Sequence, residues 1–109
     1  SASDEAGTGS LGKALIYHQG VPVAVFNVFA VAPDGMVLDC GAYYFELGTG
    51  VEAEVRMPGP GWFRVSGEVV RCQRDNMGLR FHQVPGAVSR ALEVGEVAGL
   101  RSVPLFREG

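Results

Sequence analysis

The chain has 109 residues, 47% of them hydrophobic and 19% charged, with a net charge of −3. That length fits one domain able to bury a core without metal or disulfide staples. The acidic balance argues against a general nucleic-acid binder, which carries a dominant basic face, and no apolar run approaches the ~20 residues that span a bilayer.

Charge is unevenly spread. Residues 1–55 hold one basic residue, Lys13, against seven acidic ones (net −6), whereas residues 56–109 hold eight arginines against five acidic residues (net +3). A local arginine patch is compatible with that distribution. The sixteen glycines and six prolines imply many turns between short elements. Cys40 and Cys72 form no ligand cluster. Both fall in segments that read as strands, so they are expected as buried free thiols, and a reducing, cytoplasmic compartment follows.

The opening "SASDEAGTGSLG" is small, polar and aperiodic, and residues 1–12 read as a flexible leader or linker, with the folded domain over 13–109. "KALIYH" and "VPVAVFNVFAV" are apolar and β-branched, joined by a "QG" bend. Pro33, Asp34 and Gly35 make a strong turn, and "MVLDC" returns from it. "GAYYFELGTG" is a connection with an aromatic run.

In "VEAEVRM", Val51, Ala53, Val55 and Met57 alternate with Glu52, Glu54 and Arg56. A period of two marks a half-buried antiparallel strand. "PGPG" then turns the chain into the long strand "WFRVSGEVVRCQR", whose Gly67 suggests a bulge or a bend of a barrel. After "RDN", "MGLRFH" places Leu79 and Phe81 inward and Arg80 and His82 outward. Beyond Pro85 the spacing becomes helical, with Val88, Leu92 and either Val84 or Ala91 on one stripe, and predicts a short helix over 86–94. "RSVPLFREG" adds a turn or an edge segment. These elements predict a mainly β fold: a six-stranded antiparallel β-barrel with a C-terminal helix.

The order of "PDGMVL", "GTGVEAEVRMP", "VSGEVVRC" and "NMGLRFHQV" resembles the PilZ domain family over about two-thirds of the chain. The resemblance implies a PilZ-like β-barrel and a place in bacterial cyclic di-GMP signalling, which acts in motility, biofilm and type IV pilus control. Members hold the dinucleotide with an arginine-x-x-x-arginine pair before the first strand and with an aspartate or asparagine, x, serine, x, x, glycine motif at the next turn. Counted back from Gly35, the two polar positions of the second motif fall on Ala30 and Ala32, and the arginine pair falls near Ile16 and Gly20. Charge-assisted hydrogen bonds are worth about 1.5–3 kcal/mol each, so losing two lowers affinity by about two to four powers of ten. The resemblance therefore implies a degenerate site and a module that acts through a protein partner.

If cyclic di-GMP is retained, the candidate ligand residues are Lys13, His18, Gly35, Arg71 and Arg80. Arginines suit a dianion because they offer bidentate contacts. The competing reading pairs Arg64, Arg71 and Arg80 across strands with Glu52, Glu54 and Glu68. Trp62 either stacks a base or anchors a partner, or else plugs one barrel end. Tyr43 and Tyr44 either anchor an interface or cover the barrel mouth. His18 and His82 read as surface histidines. No nucleophile motif, phosphate-cradling loop or metal cluster stands out, so neither an enzyme nor a cofactor is expected. A small-barrel nucleic-acid binder is a further alternative.

Overall fold

Alternation decides the sheet. The computed structural model describes residues 11–95 and 98–106. Its strands are β1 (Gly12–His18), β2 (Val21–Ala32), β3 (Gly35–Asp39), β4 (Gly50–Met57), β5 (Gly61–Gln73) and β6 (Asn76–Phe81), followed by helix α1 (Gly86–Val94). They close into an antiparallel barrel in the order β1-β2-β3-β6-β5-β4. In β4, Val51, Ala53, Val55 and Met57 are all buried, while Glu52 and Arg56 are exposed. The inward residues of all six strands meet in one core, with Ile16, Leu38, Val55, Val69, Met77 and Leu79 fully buried.

Turn chemistry sets the hairpins. Gln19 and Gly20 both have positive φ, 56° and 81°, which the tight primed turns of two-residue hairpins require. The β2–β3 turn is Pro33–Asp34. Register shifts fall between Ile16 and Tyr17, Val28 and Ala30, and Val69 and Arg71. The bulge expected at Gly67 therefore sits further along β5. Gly67 instead marks a close approach, since a Cβ there would collide with the Arg80 carbonyl of β6.

Two sequence boundaries shift. The leader expected over 1–12 lies outside the described residues up to residue 10, but Leu11 and Gly12 belong to the barrel. The Leu11 N–H donates to the Val28 carbonyl at 2.9 Å, and Gly12 opens β1 opposite Val28. Cys40 lies just past the end of β3 and not within a strand, whereas Cys72 lies within β5. Both are free thiols; Cys40 is buried and Cys72 half-buried.

Helix α1 packs on β5 and buries Val88 and Ala91. Ala91, and not the exposed Val84, completes its stripe. Pro85 precedes the first turn, and its carbonyl accepts from the Val88 and Ser89 N–H groups at 3.1 and 3.2 Å. After the helix the chain returns to the barrel. Leu100 makes a parallel bridge with Val31, fixed by Val31 N–H to Gly99 and Arg101 N–H to Val31 bonds of 2.9 and 2.8 Å.

Candidate functional site

The turn at Asp34 is where the sequence resemblance places a ligand, and here it holds the chain's own C-terminal segment. The Asp34 carboxylate accepts the N–H groups of Leu105 and Phe106 at 2.8 and 2.7 Å. The Phe106 ring lies over Gly35 and Gly78, so close that a Cβ on either glycine would press into it, at 2.6 and 2.9 Å. The Arg71 guanidinium caps the same ring at 5.7 Å from its centroid, and its Nε donates to Asn76 Oδ1 at 2.9 Å. Arg71 thus serves an aromatic contact and a turn amide, and among the described residues it forms no ion pair with Glu52, Glu54 or Glu68. Nothing local in "PLFREG" signals this docking.

The residues aligned with the family's binding motifs point elsewhere. Ala30 and Ala32 lie within β2 and are buried. Ile16 is buried inside β1, and Gly20 lies in the turn after it. Neither position precedes the first strand, as an arginine pair of that type would. Residues 1–12 of the sequence contain no lysine or arginine.

Gly35, Arg71 and Arg80 lie on the neighbouring strands β3, β5 and β6, and Lys13 and His18 do not converge with them. Lys13 and His18 are on β1, and Arg80 is on β6, three strands away around the barrel in either direction. Gly35 and Arg80 are directly opposite one another on β3 and β6. Arg80 pairs with Glu68 at 3.5 Å, and Arg64 pairs with Glu52 at 3.6 Å while lying 5.3 Å from the Tyr17 ring centroid. Those two arginines follow the cross-strand pairing weighed from the sequence.

A cleft of about 740 Å³ opens between the outer face of β4–β5 and the start of α1, lined by Glu52, Arg64, Ser66, His82, Gln83 and Gly86. The sequence reading missed it, because its walls come from three separated segments. It gathers an acid, a serine and a histidine, yet among the described residues no side-chain hydrogen bond joins them, and Glu52 is engaged by Arg64. A nucleophile–base relay requires contact at about 2.6–3.2 Å. The arrangement is a polar, charge-balanced recess.

A different row forms on the outer surface. Asn27 faces Lys13, Lys13 faces Arg56, and Arg56 faces Trp62 across β2, β1, β4 and β5. Lys13 Nζ donates to Asn27 Oδ1 at 2.7 Å. Trp62 and Val25 are more than half exposed, so Trp62 does not plug the barrel. At one end of the barrel, Tyr43 and Tyr44 are exposed, with the Tyr43 ring 5.5 Å from Phe26. Phe45, next in the chain, packs on the core. The connection thus turns one aromatic inward and leaves two exposed.

No family model, curated protein or solved structure matches the chain.

No group of three or more His, Cys, Asp or Glu side chains suited to a metal occurs among the described residues. No described helix is long and apolar enough to cross a membrane.

Proposed function

We propose that the chain is a PilZ-type signalling module that works through protein contact and does not hold cyclic di-GMP in that family's usual mode. The observation that carries this reading is the outer row Lys13–Arg56–Trp62. Two cations stand directly opposite each other on β1 and β4, beside an exposed indole. Like charges in that position cost stability, and exposed aromatics with arginine are the usual anchors of protein interfaces. An acidic, aromatic-accepting protein surface fits the row. The six-stranded antiparallel barrel and its C-terminal helix are compatible with the fold that the resemblance implies. The alanines at the two polar motif positions, and Phe106 seated over Gly35, speak against the usual ligand mode.

Titration calorimetry with cyclic di-GMP up to millimolar concentration is expected to be flat; low-micromolar binding would overturn the reading. Crosslinking capture from a bacterial lysate, compared among wild type, R56E/W62A and Y43A/Y44A, locates the contact. Loss of captured protein in R56E/W62A supports the row as the interface. An unchanged set in both variants removes both surfaces from it. Steeply salt-dependent binding of oligonucleotides would favour the nucleic-acid alternative instead.

A further inference from the structure

We propose that Cys40 and Cys72 are a reversible redox pair at the mouth of the barrel, closed to a disulfide by a peroxide, with Cys72 reacting first. This inference is independent of the partner reading above. The topology brings the two thiols to one place. Leu38 of β3 and Cys72 of β5 both pair with Met77, from opposite sides of β6. Two residues beyond Leu38 the chain leaves β3 at Cys40 and bends over the β5–β6 turn, held there by the Asp75 N–H bond to the Gly41 carbonyl at 2.8 Å. The Cys40 thiol consequently donates to the carbonyl of Gln73, the residue next to Cys72, at 3.2 Å. The Cys72 sulfur accepts the Phe45 N–H at 3.4 Å and lies 3.8 Å from the Tyr43 carbonyl.

The pair is asymmetric. Cys40 is 1% exposed, whereas Cys72 is half-buried and reachable by a small oxidant. Burial pushes the Cys40 thiol up, and the adjacent Cys72 side chain pushes it further, against the lowering effect of a backbone hydrogen bond from Asn76. Cys40 thus rests as a protonated thiol while its neighbour meets solvent.

The steps balance. The Cys72 sulfur attacks a peroxide oxygen, the O–O bond breaks, and Cys72 becomes a sulfenic acid as one water leaves. The Cys40 sulfur, giving up its proton, then attacks the Cys72 sulfur; the S–S bond forms, the S–O bond breaks, and the departing hydroxide takes the proton as a second water. Two thiols lose two electrons, and one peroxide gains them. A dithiol reductant reverses the bond. Closure would fasten the connection bearing Tyr43 and Tyr44 to β5, so the exposed aromatics would be held or released according to redox state.

The test uses the whole chain, treated with stoichiometric hydrogen peroxide, alkylated in denaturant and mapped by mass spectrometry. The expected result is loss of both free thiols, a mass lower by two hydrogens, and tryptic peptide 72–74 linked to peptide 14–56. In C40S, Cys72 is expected to stop at a sulfenic acid that a 1,3-dione traps. In C72S, Cys40 is expected to stay unreacted while folded. Two free thiols in treated wild type, a sulfinic acid at Cys72 beside a free Cys40, or crosslinked dimers would each overturn the proposal. The wild-type experiment decides it even if a serine variant fails to fold.

Discussion

Both carboxylate oxygens of Asp34 are occupied by the backbone of Phe106 and its neighbour Leu105, at 2.7 and 2.8 Å. The Asp34 carbonyl meanwhile accepts the Phe81 N–H at 2.8 Å. One turn residue therefore ties together the β2–β3 hairpin, the end of β6 and the C-terminal segment. Hydrogen bonds to a charged group contribute about 1.5–3 kcal/mol each when buried, less where solvent competes. Because Asp34 is half-buried, Asp34→Ala is expected to cost about 1–3 kcal/mol in total by denaturant unfolding. Amide exchange should accelerate at Leu105 and Phe106 and stay unchanged in β4. Equal acceleration in β4 would mean that Asp34 supports the barrel as a whole.

Phe106 needs glycine beneath it. A Cβ at Gly78 would meet the ring at 2.9 Å and little else closer than the Arg71 Cβ at 3.4 Å, whereas one at Gly35 would also strike the Leu79 carbonyl. Gly78→Ala is expected to destabilise by about 1–3 kcal/mol, as overpacking does, and most of that cost should vanish in a Phe106→Ala background. Gly35→Ala should stay costly in both backgrounds, because backbone cannot move aside as a ring can. The two double-mutant cycles measure the difference directly.

Much of the barrel was legible because its causes are local. The period of two in β4, the "QG" and "PDG" turns, and the helical stripe over 86–94 are each written within a few residues, and the structure has all of them. Ala91 rather than Val84 completes the stripe because Pro85 starts the helix only after Val84. The candidate sites were far less legible. The seat of Phe106 on Gly35 and Gly78, the meeting of Cys40 with Cys72, and the cleft walled by Glu52, Ser66 and Gly86 each depend on strand order around a closed barrel. No local period encodes that order. The ligand set from Lys13 to Arg80 is divided for the same reason: Lys13 and His18 lie on β1, across the barrel from Arg80 on β6.

Lys13 opposite Arg56 leads to a prediction in which stability and contact move in opposite directions. Replacing a like-charge cross-strand pair by an opposite-charge pair gains about 0.2–1 kcal/mol, discounted here because Lys13 and Arg56 are exposed and already screened. Arg56→Glu is therefore expected to leave the melting temperature unchanged or slightly higher while weakening capture of a protein partner. Unchanged capture by a variant that keeps its melting temperature would remove the row from the interface.

Cys40 supplies a pH dependence whose sign can be worked out. Burial, the first cause, raises its pKa above the ordinary value of 9.0. The folded chain therefore keeps this proton at pH values where the unfolded chain has released it. Its contribution to stability is complete below about pH 9 and declines as pH rises from there through the folded value. Denaturant unfolding of wild type and Cys40→Ala, compared between pH 7 and pH 10 under reducing conditions, isolates this contribution. The variant lies below wild type at pH 7, by an amount set by the small cavity left behind, and the gap should narrow as pH rises. A gap that stays constant or widens would show that the thiol releases its proton as easily when folded, and that Cys40 is less enclosed than its position over the barrel mouth indicates.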